Sequence, residues 1–375
     1  MNTHNHNLLV TFCKNCLTPT TRPRVGFDKN GICNACNYVK VKDKTNWLKR
    51  KNELLRILDR IRSKTSNYDC IVPWSGGKDS SYVAYKLKFD FGMTPLLAHF
   101  SPLISNEVGE KNKENFLKLG FDCILVKPNS EVSKHLSRRF FEERGNPKVH
   151  WDAGAASFPV KIAEKFNIKA IFYAEHAESE YGGKVLSKEH LKMYKYDEVV
   201  EHWIEDYPSN WVDDKLSMHD LQPYMYPDIN ELKKKKINAY FFSYFQRFDM
   251  YKNYLFIKKK TEFKTVKRTI GTFTNFDSLD DRIDDLYYYM QYIKFGFGRS
   301  VRDGSRLIQN GHLTRKKALE YAKKYDGEFP SKYVDLVLDY YKISRKKFNE
   351  IIDKHRNREI WTLEKNKWSL IQNIK

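Results

Sequence analysis

Short apolar runs separated by charged stretches of helical period fill residues 68 to 175 of the chain. The runs are "YDCIVPW", "TPLLAHF", "FDCILVKP" and "KAIFYAE". Each is too short for a helix and nearly continuous in its apolar character, the pattern of a strand covered on both faces. Between them, "KDSSYVAYKLKFDF", "NEVGEKNKENFLKLG" and the stretches at about 131 to 144 and 153 to 166 read as helices. Strands that alternate with helices predict parallel β-α-β units, hence an α/β fold with a doubly wound parallel sheet. Ligands of such sheets bind beyond the carboxyl ends of the strands.

The pattern changes on either side of this block. Trp47, Leu54, Leu58 and Ile61 recur at helical spacing, so residues 46 to 64 read as an amphipathic connector helix. Residues 184 to 235 keep no period: acidic and aromatic residues are interrupted by Pro208, Pro223 and Pro227, which suggests an insertion or lid. "INAYFFSYF" at 237 to 245 reads as one more strand. From Ser278 onward the chain reads as helical, with Ser278 as a cap, Asp281 as its capping-box carboxylate, and Ile283, Leu286, Met290 and Ile293 on one face. "RKKALEYAKKY" and "SRKKFNEIIDKHRN" are further helices. The expected organisation is a module at 1–45, the sheet domain at 46–275 and a helical region at 276–375.

Composition narrows the partners only a little. The chain has 375 residues and a formal charge of +20, which attracts phosphates, nucleic acid or acidic small molecules. The lysines are spread from end to end, however, and a coding bias would give the same Asn-, Ile- and Tyr-rich composition. "KKKK" at 233 to 236 reads as a solvated surface segment. No apolar run approaches the roughly 20 residues that span a bilayer, and "MNTHNHNLLVTFC" has neither a charged leader nor a long apolar one. A cytoplasmic protein without a membrane partner is expected.

Four of the six cysteines form C-x2-C, sixteen residues, then C-x2-C: Cys13, Cys16, Cys33 and Cys36. Two such knuckles close a tetrahedron of thiolates, the spacing of a structural zinc site. Disulfides are disfavoured in a reducing compartment, and spacing alone leaves an iron-sulfur cluster open. Cys70 and Cys123 lie inside predicted strands and read as core residues.

The strand "IVPW" runs into "SGGKDSS" and then a helix. This is not the nucleoside triphosphate loop G-x4-G-K-[ST], because Val72 stands where its first Gly belongs and Asp79 where its hydroxyl belongs. Gly76 and Gly77 nonetheless let backbone N–H groups approach phosphates, the helix start adds partial positive charge, and Ser75, Ser80 and Lys78 add donors. The string resembles the PP-loop of the ATP pyrophosphatases, the group that includes asparagine synthetase and several tRNA-modifying enzymes. That resemblance implies that Ser75, Gly76, Gly77, Lys78, Asp79 and Ser80 bind ATP and that pyrophosphate leaves, so that an adenylate forms.

The paired cysteines, "VPWSGGKDSS", "FYAEHAESEYGG", "GTFTNFDSLDDRID", "YIKFGFGR" and "YDGEFP" together look like the N-acetyl sugar amidotransferases. Those enzymes turn an acetamido group of a sugar into an acetamidino group during synthesis of surface polysaccharides or nonulosonic acids. The likeness runs from about Cys13 to Pro330 and thins between 184 and 235 and over the last forty residues. It implies an α/β adenine-nucleotide fold, ATP and Mg2+ as cofactors, structural Zn2+, an N-acetylated sugar substrate, and ammonia from a separate glutaminase with a synthase-like partner. His99, at the end of the second strand, would meet the adenosine unless it is a core histidine. Glu175, Tyr181, Gly182 and Gly183 follow the fourth strand and could meet the sugar or magnesium; a plain strand-end turn is the alternative. Asp280 and Asp281 fit the family's acidic pair, although a helix start favours carboxylates by itself. Lys294, Gly298 and Arg299 suit developing negative charge or a substrate carboxylate, where a helix C-cap would also explain the glycines. Lys78, Asp79, Glu175 and Arg299 are the expected catalytic set. The alternative is a tRNA-modifying relative, a thiolase or a lysidine-type ligase, which would use the basic charge.

Overall fold

The structure, a computed structural model, describes residues 9–63, 67–185 and 187–374. Residues 1–8 of the N-terminal module, Lys64 of the connector segment, Leu186 of the irregular segment and Lys375 lie outside the described residues.

Five parallel strands form the central sheet: β1 (Cys70–Pro73), β2 (Pro95–Phe100), β3 (Cys123–Val126), β4 (Ala170–Tyr173) and β5 (Asn238–Phe241). Their order is β3-β2-β1-β4-β5, with Ile71 opposite Leu96 on one side and Ile171 on the other. The chain therefore winds one way from β1 to β2 and β3, then crosses back to β4. The reversal falls between β1 and β4, which is where this kind of sheet opens a crevice.

Side-chain alternation explains why the strands read as unbroken apolar runs. Cys70, Val72, Leu97, Ala170 and Phe172 face one layer, with Leu54 and Leu58 of the connector helix Trp47–Ile61, Phe116 and Ile257. Ile71, Leu96, Ala98, Phe100 and Ile171 face the other, with Leu136, Phe140 and Val160. The inner strands β1, β2 and β4 are covered on both faces, so nearly every position in them is apolar, with His99 of β2 the polar exception.

The irregular segment is held in this second layer. Trp211, Leu216, Leu221 and Tyr224 are buried there, the Tyr224 hydroxyl lies 2.9 Å from Ser133 Oγ, and Arg139 donates to the Trp211 carbonyl at 2.9 Å. These side chains come from short turns rather than one long element, which is why no period survives in the sequence.

Three expectations need correction. The strand predicted over 237 to 245 ends at Phe241, and Phe242–Phe245 turns into a short helix. The helix predicted from Ser278 begins only at Asp284 and runs to Phe295. Ser278 sits at a left-handed φ of 50°, and Asp281 accepts from the backbone N–H groups of Leu103 (3.0 Å), Ile104 (3.1 Å) and Ile283 (3.1 Å), tying this turn to the loop after β2 instead of capping Ser278. Finally, the helices Arg299–Gln309, Arg315–Tyr325, Val334–Tyr341 and Arg345–His355 are followed by a hairpin, β6 (Trp361–Glu364) and β7 (Lys367–Leu370). Lys365 and Asn366 both take positive φ at its turn. No helix among the described residues is long and apolar enough to cross a membrane.

Candidate active site

The glycine loop leaves β1 at the crevice and opens the helix Lys78–Tyr85. Ser75 Oγ accepts from the Gly77 N–H at 3.2 Å, and Ser80 Oγ from the Ser75 N–H at 3.4 Å, so the two serines fix the turn. Gly76 has φ +86°, and a Cβ there would lie 2.3 Å from Lys113 Cγ. Only glycine fits both demands. Gly76→Ala is accordingly expected to lower stability by about 1–2 kcal/mol, while Gly77→Ala, at φ −73° with Ser75 Oγ as its nearest neighbour, loses less. Thermal melting of the two variants side by side checks the difference.

Lys78 is 3% exposed and lies between two carboxylates, Asp79 Oδ2 at 2.9 Å and Asp277 Oδ1 at 2.6 Å. Burial works against its charge, but the two carboxylates outweigh burial and hold the ammonium protonated. Burial likewise pushes Asp277 up, yet Lys78, Arg302 and Arg299 bring it well below the ordinary carboxylate range. Arg302 Nη2 meets Asp277 Oδ2 at 2.6 Å, and Asn253 donates to Asp79 Oδ1 at 2.9 Å.

Across the crevice, Glu175 follows β4. It accepts from the Tyr181 hydroxyl at 2.9 Å, and burial together with the charge of Asp79 raises it to about 7. A second cluster surrounds Lys148, which meets Asp284 at 2.5 Å and rests 4.2 Å from the centre of the Trp151 ring. Burial raises Asp152 and Asp280 beside it to about 7, with Asp284 adding to both. Apart from Asn253 and Arg299, these groups line one cavity of about 450 Å³. A second, more apolar cavity of about 420 Å³, walled by Trp74, Phe100, Ala156, Tyr173 and Phe241, shares Ser75, Glu175, Trp151 and Trp203 with the first.

The raised Glu175 carboxyl gives a pH signature. Its unfolded value is about 4.3. Between that value and the folded one near 7 the folded state holds the extra proton, so stability falls as pH rises through this window and levels off above it. Glu175→Gln is expected to be more stable than the parent at pH 8, on the order of 2 kcal/mol, and to match it near pH 4. Melting temperatures across that range test the sign.

The four cysteines form the other chemical centre. All are buried, with sulfur-sulfur distances of 3.7 Å for Cys16 and Cys33 and 3.9 Å for Cys13 and Cys36. A tetrahedral zinc ion with thiolates at about 2.3 Å spaces its sulfurs by about 3.8 Å. The backbone N–H groups of Cys33 (3.3 Å) and Thr18 (3.4 Å) point at Cys13 and Cys16 sulfurs, as thiolates require. Hydrogen bonding within the cluster pulls the Cys13 thiol far below its ordinary value and pushes Cys33 up. Four thiols so placed could hold a zinc ion, and the close spacing suits a single metal rather than a multinuclear cluster.

This cysteine module is clamped onto the crevice. Arg24 pairs with Glu178 at 2.9 Å, Lys42 with Glu180 at 2.8 Å, and Thr21 donates to the Phe295 carbonyl at 2.6 Å. Arg22 thereby reaches the cavity wall.

The predicted residues separate into two groups. Ser75, Gly76, Gly77, Lys78, Asp79, Ser80, Glu175, Tyr181 and Asp280 meet in the main cavity. His99 does not: it is 1% exposed, with Nδ1 2.8 Å from the Trp74 carbonyl and Nε2 3.3 Å from Lys113 Nζ, so it supports the loop from beneath. Burial and Lys113 lower it to about 4. Gly182 and Gly183 face the cysteine module; their carbonyls accept from the Gly26 N–H (3.3 Å) and Asn34 Nδ2 (3.3 Å). Arg299 is 1% exposed and braces the Asp277 carbonyl and Asp285, and Gly298 caps its helix through Asp326 at 2.7 Å. Lys294 lines a smaller recess and donates to the Arg144 carbonyl at 2.8 Å.

Sequence reasoning missed Arg22, Lys148, Asp152, Asp277, Arg302 and Arg306. Arg299, Arg302 and Arg306 recur at helical spacing on one element, a signal that was available.

Comparison with known proteins bears on the C-terminal part of this cavity. Residues 270–375 match the family described as "LPS biosynthesis protein WbpG-like, C-terminal domain". The matched segment supplies Asp277, Asp280, Asp284, Arg302 and Arg306, and the match supports a polysaccharide-biosynthesis context. The chain is also similar to the uncharacterized protein MJ1599 of Methanocaldococcus jannaschii, 33% identical over 85 residues. That alignment covers 22% of this chain and 30% of the archaeal protein.

Proposed function

We propose that the protein is an ATP-dependent, AMP-forming amidotransferase that converts the acetamido group of an N-acetylated sugar into an acetamidino group. The observation that carries this reading is the glycine loop at the β1–β4 crevice, facing the partly buried carboxylates of Glu175, Asp152 and Asp280 across one cavity. The loop N–H groups, Ser75, Ser80 and Lys78 would hold the departing pyrophosphate. The acetamido oxygen attacks the α-phosphorus of ATP, pyrophosphate leaves, ammonia adds to the activated carbon, and AMP departs with the former amide oxygen. An amide oxygen is a poor leaving group, and adenylation cures that.

Asp79 and Glu175 would hold magnesium, since burial leaves them repelling one another, and the ion would offset phosphate charge. Asp152 and Asp280, raised to about 7, are suited to take the proton that ammonia loses on adding. No cysteine lines either cavity among the described residues, and burial pushes Cys123 up to about 11 and Cys70 higher still. This disfavours thiolation chemistry. It also leaves ammonia to come from solution or from a separate glutaminase with its synthase-like partner.

The test supplies the protein with ATP, Mg2+ and ammonium and a panel of N-acetylated nucleotide sugars and nonulosonic acids. The expected product is lighter by the difference between O and NH and appears with equimolar AMP. Unchanged sugars alongside adenylated tRNA would point to the tRNA-modifying alternative.

A further inference from the structure

Two arginines on the main cavity wall lack the ion-paired carboxylate that the other cations lining that wall have. Lys78, Lys148, Arg24 and Arg302 are each ion-paired, to Asp277, Asp284, Glu178 and Asp277 respectively. Among the described residues Arg22 and Arg306 make no ion pair. Arg306 lies 3.6 Å from the centre of the Tyr181 ring, Nη1 reaches only Met250 Sδ at 3.7 Å, and its buried Nε has no partner. The Arg22 guanidinium lies 5.6 Å from the same ring and 5.8 Å from that of Phe297.

Their surroundings fit an absent anion. Burial lowers both guanidiniums to about 10; Arg24 and Arg302 add to this for Arg22 while Glu178 opposes it, and for Arg306 the charges of Glu175, Asp79 and Glu180, none of them within ion-pair distance, oppose it while Arg22 adds. Two partly buried cations beside one aromatic ring gain from an oxyanion between them, because guanidinium forks match carboxylate and phosphate oxygens. Arg22 also borders the smaller recess of about 170 Å³, where Asn146, Gln291, Lys294 and Tyr287 offer polar groups and Trp203 an apolar face, a lining that suits a saccharide.

We propose that Arg22 and Arg306 form an oxyanion subsite for the acceptor, so that the substrate is an N-acetylated sugar carrying its own carboxylate or phosphate. This rests on the amidotransferase reading for which ligand is the acceptor. The subsite joins parts distant in sequence: Arg22 comes from the cysteine module, Tyr181 from the turn after β4, and Arg306 from the segment matched to the polysaccharide-biosynthesis family. The glycine loop serves the phosphates of ATP, which leaves the Arg pair to the second substrate.

Calorimetry on the full chain tests this, with saturating Mg2+ and the non-cleavable analogue α,β-methylene-ATP. The probes are N-acetylneuraminic acid for a carboxylate, UDP-N-acetylglucosamine for a phosphate, and neutral N-acetylglucosamine. At least one anionic probe is expected to bind about tenfold or more tighter than the neutral sugar. Arg22→Ala and Arg306→Ala should each erase that preference by about tenfold, with the Lys variants keeping part of it and the ATP analogue binding as before. Circular dichroism confirms that the variants fold. Two results overturn the proposal: equal binding of anionic and neutral sugars by the parent, or loss of ATP-analogue affinity with the sugar preference intact, which would give the arginines to ATP. A protein that binds anionic sugars yet never releases AMP would keep the subsite and lose the amidotransferase reading.

Discussion

Cys36→Ser is expected to destabilise the chain by about 5 kcal/mol or more and to abolish activity with it. Cys36 is 3% exposed, and its sulfur closes one edge of the four-thiol cluster. If the four thiols hold zinc, a serine there removes a ligand from a site whose binding free energy would be folding free energy for its module. The loss does not stay local. Arg22, Arg24 and Lys42 project from this module toward the cavity, Glu178 and Glu180, so releasing the knuckles withdraws a cavity-wall arginine, leaves buried Glu180 without its ion pair and leaves buried Glu178 with only His202 at 3.6 Å. Calorimetric melting and metal analysis check it together. The parent should carry one zinc per chain, and the variant should lose both the metal and the melting transition of the parent. A Cys36→Ser protein that melts like the parent would show that the cluster is not a folding element.

Lys78→Met carries the second large effect. The lysine separates Asp79 and Asp277 at 2.9 and 2.6 Å, and removing one partner from a buried ion pair costs about 3–5 kcal/mol. Asp277 keeps Arg302 at 2.6 Å, so the lower end of that range is expected. Activity should fall further, by about a thousandfold, if the same ammonium is the donor to the departing diphosphate, as proposed above. The double variant Lys78→Met with Asp277→Asn separates the two roles. It should recover much of the melting temperature and none of the turnover. Recovery of both would mean that Lys78 is a structural ion-pair member only.

Much of the sheet was legible because its strands obey a local rule. A run such as Cys70 to Val72 sends alternate side chains into two dry layers, so it is apolar throughout and the helices between runs stand out. The hairpin Trp361–Leu370 was missed although "WTLEKNKWSL" alternates on both sides of a Lys-Asn turn, because the helices before it set the expectation. Asp281 matched a capping box in spacing, yet its carboxylate is taken by the N–H groups of Leu103 and Ile104, a contact between residues 178 and 177 positions apart in the chain.

In the candidate site, the residues of the glycine loop and the acid after β4 could be read from motifs, since both sit at strand ends. Arg22 could not, because its place depends on how the cysteine module docks. The string "IKFGFGR" points to Arg299 alone, but its place on the helix decides that Arg299 braces the Asp277 carbonyl from inside the wall while Arg302 and Arg306 face the cavity. Gly182 and Gly183 looked like a ligand-approach turn and instead let the module lie close, where a Cβ on Gly182 would meet Val25 at 3.2 Å.

The fate of the acetamido oxygen tests the account most directly. With an acceptor labelled at that oxygen with 18O, the account predicts that AMP gains the label in its phosphate, pyrophosphate stays unlabelled, and the sugar product carries none. Label in orthophosphate together with release of ADP, or AMP formed without label, would contradict it.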